Sequence, residues 1–152
     1  MNVKTILVPY DFSDYAAHAF AWASELAQLW NARIILLHAV PLFARISYTE
    51  APVLFDIPKV EAELVADGEK QLREFIAKAN QPQLRIEAQT MLGDPFAVIC
   101  QVAERDQVDL IVMGSHGRTG LAHVFMGSVA ERVLRHASCP VLVARRSAST
   151  AS

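Results

Sequence analysis

The protein has 152 residues, of which 53% are hydrophobic and 20% charged, and its formal net charge at pH 7 is −2. This composition is typical of one ordinary globular domain that is long enough to bury a sizeable core. Because Lys and Arg are scattered along the sequence, the charge pattern does not indicate a nucleic-acid-binding protein or a protein held at a membrane surface.

The apolar runs and the cysteines indicate the cellular compartment in which the protein is expected to reside. No apolar run approaches the ~20 residues that a membrane-spanning helix needs, and the first residues lack the features of a signal peptide. Cys100 and Cys139 are far apart and do not have the spacing of metal ligands. We therefore expect a cytoplasmic protein with both thiols reduced and with no metal site of its own.

Short apolar runs rich in β-branched residues alternate with longer segments along the sequence. Their nearly continuous apolar content is typical of strands buried on both faces of a parallel sheet. In sequence order the predicted strands are 5–10, 33–39, 85–92, 109–114 and 140–145.

Four segments between these runs have the apolar period of a helix. The first follows Ser13, a candidate N-cap, and the second follows Pro58 and carries Gly68 on its apolar stripe. The third opens with Asp94 as the cap and Pro95 at the first helical position. The other apolar positions, in sequence order, are Ala16, Phe20, Ala23, Ala27, Trp30, Val60, Leu64, Leu72, Phe75, Ala79, Phe96, Ile99, Ala103, Ala130, Val133, Leu134 and Ala137.

The alternation of strand and helix predicts a single-domain α/β fold. We expect an open five-stranded parallel sheet of Rossmann-like type, with helices on both faces, over residues 1–146. The small polar tail 147–152 is expected to be disordered. Residues 40–58 fit no simple turn, and two roles stay open for them: a flap over a ligand or a surface that contacts a partner.

A glycine-rich stretch, GSHGRTGLAHVFMGS (114–128), joins the fourth strand to the last helix. Glycines let backbone N–H groups approach phosphate oxygens, and a helix N-terminus attracts anions. Arg118 could add a charged donor. A competing interpretation is that Ser128 and Glu131 form a capping box that satisfies the helix without any ligand. Spacing alone leaves both interpretations open.

Other chemistries have less support in the sequence. The P-loop pattern is missing, and no glycines follow the first strand as a dinucleotide fingerprint requires. Asp11, just past that strand, is a candidate for contacting a ribose hydroxyl or a base or for orienting a metal-bound water, or it is a turn or helix-entry residue. His38 is expected to be a packed, hydrogen-bonded residue. No convincing catalytic set of residues is present.

Taken together, these motifs resemble those of the universal stress protein family, in its ATP-binding branch. The pattern of Gly, two residues, Gly, nine residues and Gly-Ser is complete, and "ILVPYDFSD" and "CPVLVAR" also fit. The resemblance extends from about Lys4 to Arg145. It implies the strand order 3-2-1-4-5, a homodimer, and ATP in the cleft, with Mg²⁺ bound, if at all, through the phosphates.

The resemblance also implies a role for each site residue. Asp11 would contact the ribose or adenosine part, and Ala39 would meet adenine through its backbone. Pro9 and Met113 would line the base pocket, with Arg118 beside the phosphates. The residues expected to hold the phosphates are Gly114, Gly117, Gly127, Ser128 and Val129. We further expect Gly127→Val to weaken ATP binding and to leave the fold intact.

Three functions are compatible with these observations. The first is a nucleotide-dependent stress-response regulator that acts on an unidentified protein partner. The second is a slow ATPase or self-phosphorylating enzyme, and the third is a dimeric adaptor in which the nucleotide is incidental. In the implied strand order, 140–145 is an apolar edge strand, which predicts a homodimer joined through Val141 and Val143. No nucleic acid or membrane partner is expected.

Overall fold

The computed structural model describes residues 2–41, 56–118, 120 and 125–146. Its elements are, in order, β1 (Thr5–Pro9), α1 (Asp14–Trp30), β2 (Arg33–Val40), α2 (Ile57–Ala79), β3 (Arg85–Leu92), α3 (Pro95–Arg105), β4 (Leu110–Gly114), α4 (Ser128–His136) and β5 (Val141–Ala144). All the predicted strands and helices are present, with small shifts at their ends. The expectations for the flap or partner surface at 42–55 and for the tail at 147–152 lie outside the described residues.

The strands form one parallel sheet in the order β3-β2-β1-β4-β5. This confirms the predicted α/β architecture. Since β2 and β4 flank β1 on opposite sides, the direction in which successive strands are added reverses at β1. In open parallel sheets, ligands bind beyond the carboxyl ends of the strands at such a point.

Each face of the sheet has its own core. On one face, Ile6 and Val8 of β1 pack with Phe20 of α1 and with the inner side of α2. On the other face, Leu7 packs with Val102 of α3 and with α4. The side chains of successive strand residues point to opposite faces of the sheet, and helices cover both faces. This arrangement explains why the strands are apolar at nearly every position.

Helices α1, α2 and α3 begin as local capping rules predict. The Ser13 hydroxyl accepts a hydrogen bond from the amide of Ala16 at 3.2 Å, and Asp94 caps α3 with proline at the first helical position. Helix α2 starts earlier than expected, because Asp56 caps it and Pro58 lies within the first turn. Proline is tolerated there, since first-turn amides have no partner inside the helix.

Two residues of the predicted inward stripes are exposed. Leu134 of α4 is 49% exposed and Trp30, the last residue of α1, is 36% exposed. The short helix α4 buries Ala130 and Val133, the centre of its stripe, so Leu134 lies on the flank. None of the helices in the described residues is both long and apolar enough to cross a lipid bilayer.

Candidate functional site

A cleft lies beyond the carboxyl ends of β1, β2 and β4, on the side of the sheet that α3 and α4 cover. Its volume is about 190 Å³, far more than a single buried water occupies. The residues that line it are Pro9, Tyr10, Asp11, Ala16, Leu37, Ala39, Pro95, Ile99, Met113, Gly114, His116, Gly117, Gly127, Ser128, Val129 and Ala130.

Of the residues proposed for the site from sequence, all except Arg118 line this cleft. They are Pro9, Asp11, Ala39, Met113, Gly114, Gly117, Gly127, Ser128 and Val129. The Nε of Arg118 donates to the carbonyl of Asp11, and its guanidinium lies 5.8 Å from the centre of the Phe12 ring. The Arg118 side chain is therefore held against the turn after β1.

The contribution of α3 to the cleft was not predicted from the sequence. Pro95 and Ile99 line it, although the sequence marked them only as a helix start and a core position. No local signal could have found them, because their place depends on how α3 and α4 approach each other across the sheet. Leu37 was also missed, and here a signal existed: it shares a strand face with Ala39. The other missed lining residues are Tyr10, Ala16, His116 and Ala130.

One end of the cleft is an apolar slot. Leu37 and Ala39 of β2 approach it from one side and Met113 of β4 from another, with Ile99 of α3 packed in the same core. Leu37, Ile99 and Met113 are almost completely buried. Such a lining suits a flat aromatic group, and a few polar groups are enough to orient it.

The backbone of Ala39 supplies such polar groups. The ladder between β1 and β2 ends with the amide of Tyr10 donating to the Leu37 carbonyl at 2.7 Å. The N–H and C=O groups of Leu37 and Ala39 point to the same side of β2, since the strand repeats every two residues. At Ala39, however, β1 has already ended at Pro9. The donor and the acceptor of Ala39 therefore face the cleft.

The turn after β1 places a carboxylate beside this slot. One oxygen of Asp11 accepts from the amide of Ser13 at 3.0 Å, and Phe12 between them adopts a left-handed conformation with φ 64°. Left-handed backbone is unfavourable for a bulky residue and is concentrated at functional sites. Of the described lining residues, Asp11 is the only Asp, Glu, Lys or Arg.

Helix α4 presents its N-terminus to the same cleft. Its N-cap is Gly127, which has no side chain that could make a capping hydrogen bond, and Ser128 is the first helical residue. The capping-box interpretation of Ser128 and Glu131 is therefore wrong, because Ser128 lies one position too late to cap. Within the part of the chain that the structure describes, no side chain caps the first-turn amides of α4, so these donors can meet an anion, and the helix dipole favours a negative charge there.

The glycines contribute through close packing as well as through access to the cleft. A Cβ on Gly114 would lie 2.9 Å from the backbone of Tyr15, so this glycine lets α1 pack against β4. A Cβ on Gly117 would lie 3.0 Å from a carboxylate oxygen of Asp11. At Gly127 it would lie 3.3 Å from the Ser115 carbonyl and from the Cα of His116. A side chain at Gly127 therefore requires a small shift of these neighbours, and the expected effect of Gly127→Val on ATP binding and on the fold stays a prediction.

Two aromatic residues near the site have shifted pKa values. Burial lowers the pKa of His38, whose Nδ1 lies 2.9 Å from the Tyr10 carbonyl. Burial, reinforced by the negative charges of Asp11 and Asp14, raises the pKa of Tyr10 to about 12. The His38 ring packs against Phe12 and belongs to the opposite face of the sheet from the cleft, so His38 is a packed residue, as expected.

Comparisons with known proteins agree with this architecture. The model of the "Universal stress protein family" matches residues 2–145. Universal stress protein MJ0531 of Methanocaldococcus jannaschii is 32% identical over 143 residues, which cover 94% of this chain and 82% of that protein. The solved structure of MJ0577, from the same organism, has a TM-score of 0.83 at 29% identity and covers 98% of this chain and 100% of its own. For UspA from Lactobacillus plantarum, the TM-score is 0.77 at 32% identity, with coverages of 95% and 99%.

Proposed function

The chain belongs to the universal stress protein family, and from this premise we propose that its cleft binds an adenine nucleotide, with ATP as the leading candidate. One observation carries the proposal. An apolar slot with a backbone donor and acceptor lies in the same cleft as a helix N-terminus whose N-cap, Gly127, makes no side-chain capping bond. A base and a row of phosphates need these two environments, at opposite ends of one site.

Each part of the nucleotide has a counterpart in the cleft. The base would enter between Ala39 and Met113, and its polar edge would meet the backbone of Ala39. The carboxylate of Asp11 would accept a hydrogen bond from a ribose hydroxyl. The phosphates would lie over Gly117 and the first turn of α4, where backbone amides supply the donors.

Charge supports the assignment of the phosphate end. Since no Lys or Arg is among the described lining residues, attraction of an anion depends on backbone amides and the helix dipole. The described residues contain no group of three His, Cys, Asp or Glu residues that could hold a metal ion. A Mg²⁺ ion would therefore bind through phosphate oxygens and would neutralise their charge.

Two more distant solved structures contain adenine nucleotides. An Arabidopsis thaliana universal stress protein family protein, 24% identical with a TM-score of 0.63, has AMP bound. Another universal stress protein, 23% identical with a TM-score of 0.67, is in complex with cAMP. These ligands belong to those proteins, and they support an adenine nucleotide here as a class.

We further propose that the bound nucleotide makes the protein a stress-response regulator in the cytoplasm. The nucleotide would join segments that are far apart in the sequence: the end of β2, the turn after β1 and the start of α4. Its presence would therefore change the surface around the cleft, which a protein partner could recognise. Binding without turnover would distinguish this role from that of an ATPase, and following labelled ATP measures turnover directly.

A charge placed at the phosphate end tests the nucleotide site. Ser128→Asp puts a carboxylate in the first turn of α4, where the helix dipole favours it by about 0.3–1 kcal/mol. The same carboxylate would repel a phosphate by about 4 kcal/mol at about 4 Å, at an effective dielectric constant of about 20. We expect the fold to keep its stability or gain some, and the affinity for ATP, measured by calorimetry, to fall at least about tenfold.

Ser138→Asp is the matched control. It makes the same chemical change at an exposed position beyond the end of α4, outside the residues that line the cleft. The control should bind ATP as the unaltered protein does. Unchanged affinity in Ser128→Asp would contradict the placement of the phosphates, and no binding of any adenine nucleotide by the unaltered protein would contradict the proposed function.

A further inference from the structure

The imidazole of His38 occupies a position in the β1–β2 ladder that the backbone would otherwise use. In the register of these strands, the amide of Tyr10 donates to the Leu37 carbonyl. If β1 continued, the next bond would run from the amide of Ala39 to the Tyr10 carbonyl. In the described residues, this carbonyl accepts instead from Nδ1 of His38, at 2.9 Å. Because a carbonyl can only accept, Nδ1 carries the proton.

The same imidazole supports the turn that leads away from β2. Its ring centre lies 4.8 Å from that of Phe12, in an edge-to-face arrangement. Phe12 has the left-handed φ of 64° that directs the backbone from β1 toward α1. His38 therefore contacts both parts of the turn, the carbonyl of Tyr10 and the ring of Phe12, from the face of the sheet opposite the cleft.

From these contacts we propose that His38 is a positioning residue for base recognition: it holds the Tyr10 carbonyl and so keeps the N–H of Ala39 available to the base. The inference rests on the proposed nucleotide site. His38 does not touch the ligand. It acts through the backbone, since a Tyr10 carbonyl that lost the imidazole would be free to pair with the Ala39 amide and to extend the ladder by one bond.

The backbone N–H and C=O of Ala39 determine which nucleotide base can form hydrogen bonds in the cleft. The 6-amino group of adenine donates and its N1 accepts, which complements a backbone carbonyl and a backbone amide. Hypoxanthine, the base of ITP, reverses both groups, with a 6-oxo acceptor and an N1–H donor. A site built to make hydrogen bonds rejects a ligand that leaves its polar groups unpaired. The protein should therefore prefer ATP to ITP, although the two nucleotides have identical phosphates and ribose.

The ratio of the ITP and ATP dissociation constants measures this preference separately from the phosphate contacts. We expect a ratio of at least about ten for the unaltered protein. His38→Leu removes the donor to Tyr10 and should bring the ratio close to one, mainly by weakening ATP. His38→Asn places an amide N–H near the position of Nδ1 and should keep most of the preference. An unchanged ratio in His38→Leu would overturn the proposal.

Amide hydrogen exchange at Ala39, followed by NMR, gives a readout that needs no nucleotide. In the free unaltered protein, Ala39 should exchange faster than Leu37, whereas in His38→Leu it should be protected by the new ladder bond. Equal exchange at Ala39 in the two proteins would contradict the positioning role. If His38→Leu does not fold, His38→Gln replaces it, since its amide reaches the position of Nε2 instead of Nδ1. This measurement separates a failure of His38's role from a failure of nucleotide binding.

Discussion

At the scale of single residues, the turn between β1 and α1 combines several uncommon features. Phe12 has a left-handed backbone, Asp11 accepts from the amide two residues later, and the Tyr10 carbonyl accepts from an imidazole of the neighbouring strand. These features end β1 before β2 ends, which exposes the backbone of Ala39 to the cleft. The strain at Phe12 therefore has a structural consequence at the proposed base site.

Tyr10, in this turn, should make the free energy of unfolding of the protein depend on pH in the alkaline range. Its pKa is raised from 10.0 to about 12 by burial, so the unfolded state releases the phenolic proton at lower pH than the folded protein. The stability that the neutral phenol provides is complete below pH 10 and is lost as the pH rises toward 12. We expect the free energy of unfolding to fall more steeply over this interval in the unaltered protein than in Tyr10→Phe.

The comparison requires that the aromatic packing survives the substitution. The Tyr10 ring contacts Phe12 and Phe75, with centre distances of 5.3 and 4.5 Å, and phenylalanine keeps the same ring. Below pH 10 the difference in stability between the two proteins should be constant. Denaturant unfolding at a series of pH values measures this, and curves that stay parallel up to pH 12 would show that Tyr10 is not the group responsible.

At the scale of elements, close packing of α2 on the sheet depends on Gly68. A Cβ at this position would lie 2.8 Å from Cγ2 of Thr90 and 3.1 Å from Cδ2 of His38. Gly68→Ala would raise helix propensity by about 1 kcal/mol, but overpacking of this kind costs about 1–3 kcal/mol. We expect a net loss of stability in chemical denaturation, because Thr90 lies on β3 and its methyl group cannot move away freely.

A second substitution should restore the packing. Thr90→Ala removes both the methyl group and a buried hydroxyl that has no hydrogen-bond partner among the described residues, so the new Cβ in Gly68→Ala/Thr90→Ala occupies the vacated space. The double variant should be more stable than Gly68→Ala alone. Ala77→Gly, at an exposed position of the same helix, measures the propensity effect separately. Additive losses in the double variant would show that the two residues do not compete for space.

At the scale of the whole molecule, the two edges of the sheet differ in chemistry. On the edge strand β3, Arg85 and Glu87 are exposed, and Glu87 pairs with Arg33 of β2 at 3.4 Å. The other edge, β5, presents half-buried apolar residues instead. Charged residues discourage pairing between edges, whereas an apolar edge invites it. The proposed homodimer therefore uses β5, and the exposed Leu134 of α4 would contribute beside it.

Backbone geometry provides a selective test of this dimer. The amide of Ile111 donates to the carbonyl of Pro140, so the alternate residues Val141 and Val143 direct their backbone groups to the outer edge. Val143→Pro removes an outward N–H and leaves the β4–β5 ladder intact, as proline allows on an edge strand. We expect sedimentation at micromolar concentration to show a dimer for the unaltered protein and a monomer for this variant.

Val143→Ala controls for the loss of the valine methyl groups, because alanine keeps the N–H. It should remain a dimer, with at most a weaker association. A monomeric unaltered protein would contradict the homodimer altogether. A dimeric Val143→Pro that retains the fold would show that the subunits associate through another surface.

The sequence alone determined which elements form and in what order they follow one another along the chain. Apolar runs and helical periodicity gave five strands and four helices, because burial on two faces of a parallel sheet and on one side of a helix leaves its own period in each segment. Caps such as Ser13 and Asp94 were also predictable, since the residues involved are at most three positions apart. The glycine pattern and Asp11 identified Gly114, Gly117, Gly127, Ser128 and Asp11 itself as lining residues, and the family resemblance added Pro9, Ala39, Met113 and Val129.

Only the tertiary structure decided how these residues are used. Gly114 faces Tyr15, and Pro95 and Ile99 join the cleft from a helix that the glycine pattern does not mark. The availability of the Ala39 backbone depends on where β1 ends relative to β2. These features are distances between segments far apart in the sequence, whereas composition and periodicity report only on neighbours along it. For that reason the sequence could place the elements but not the contacts between them.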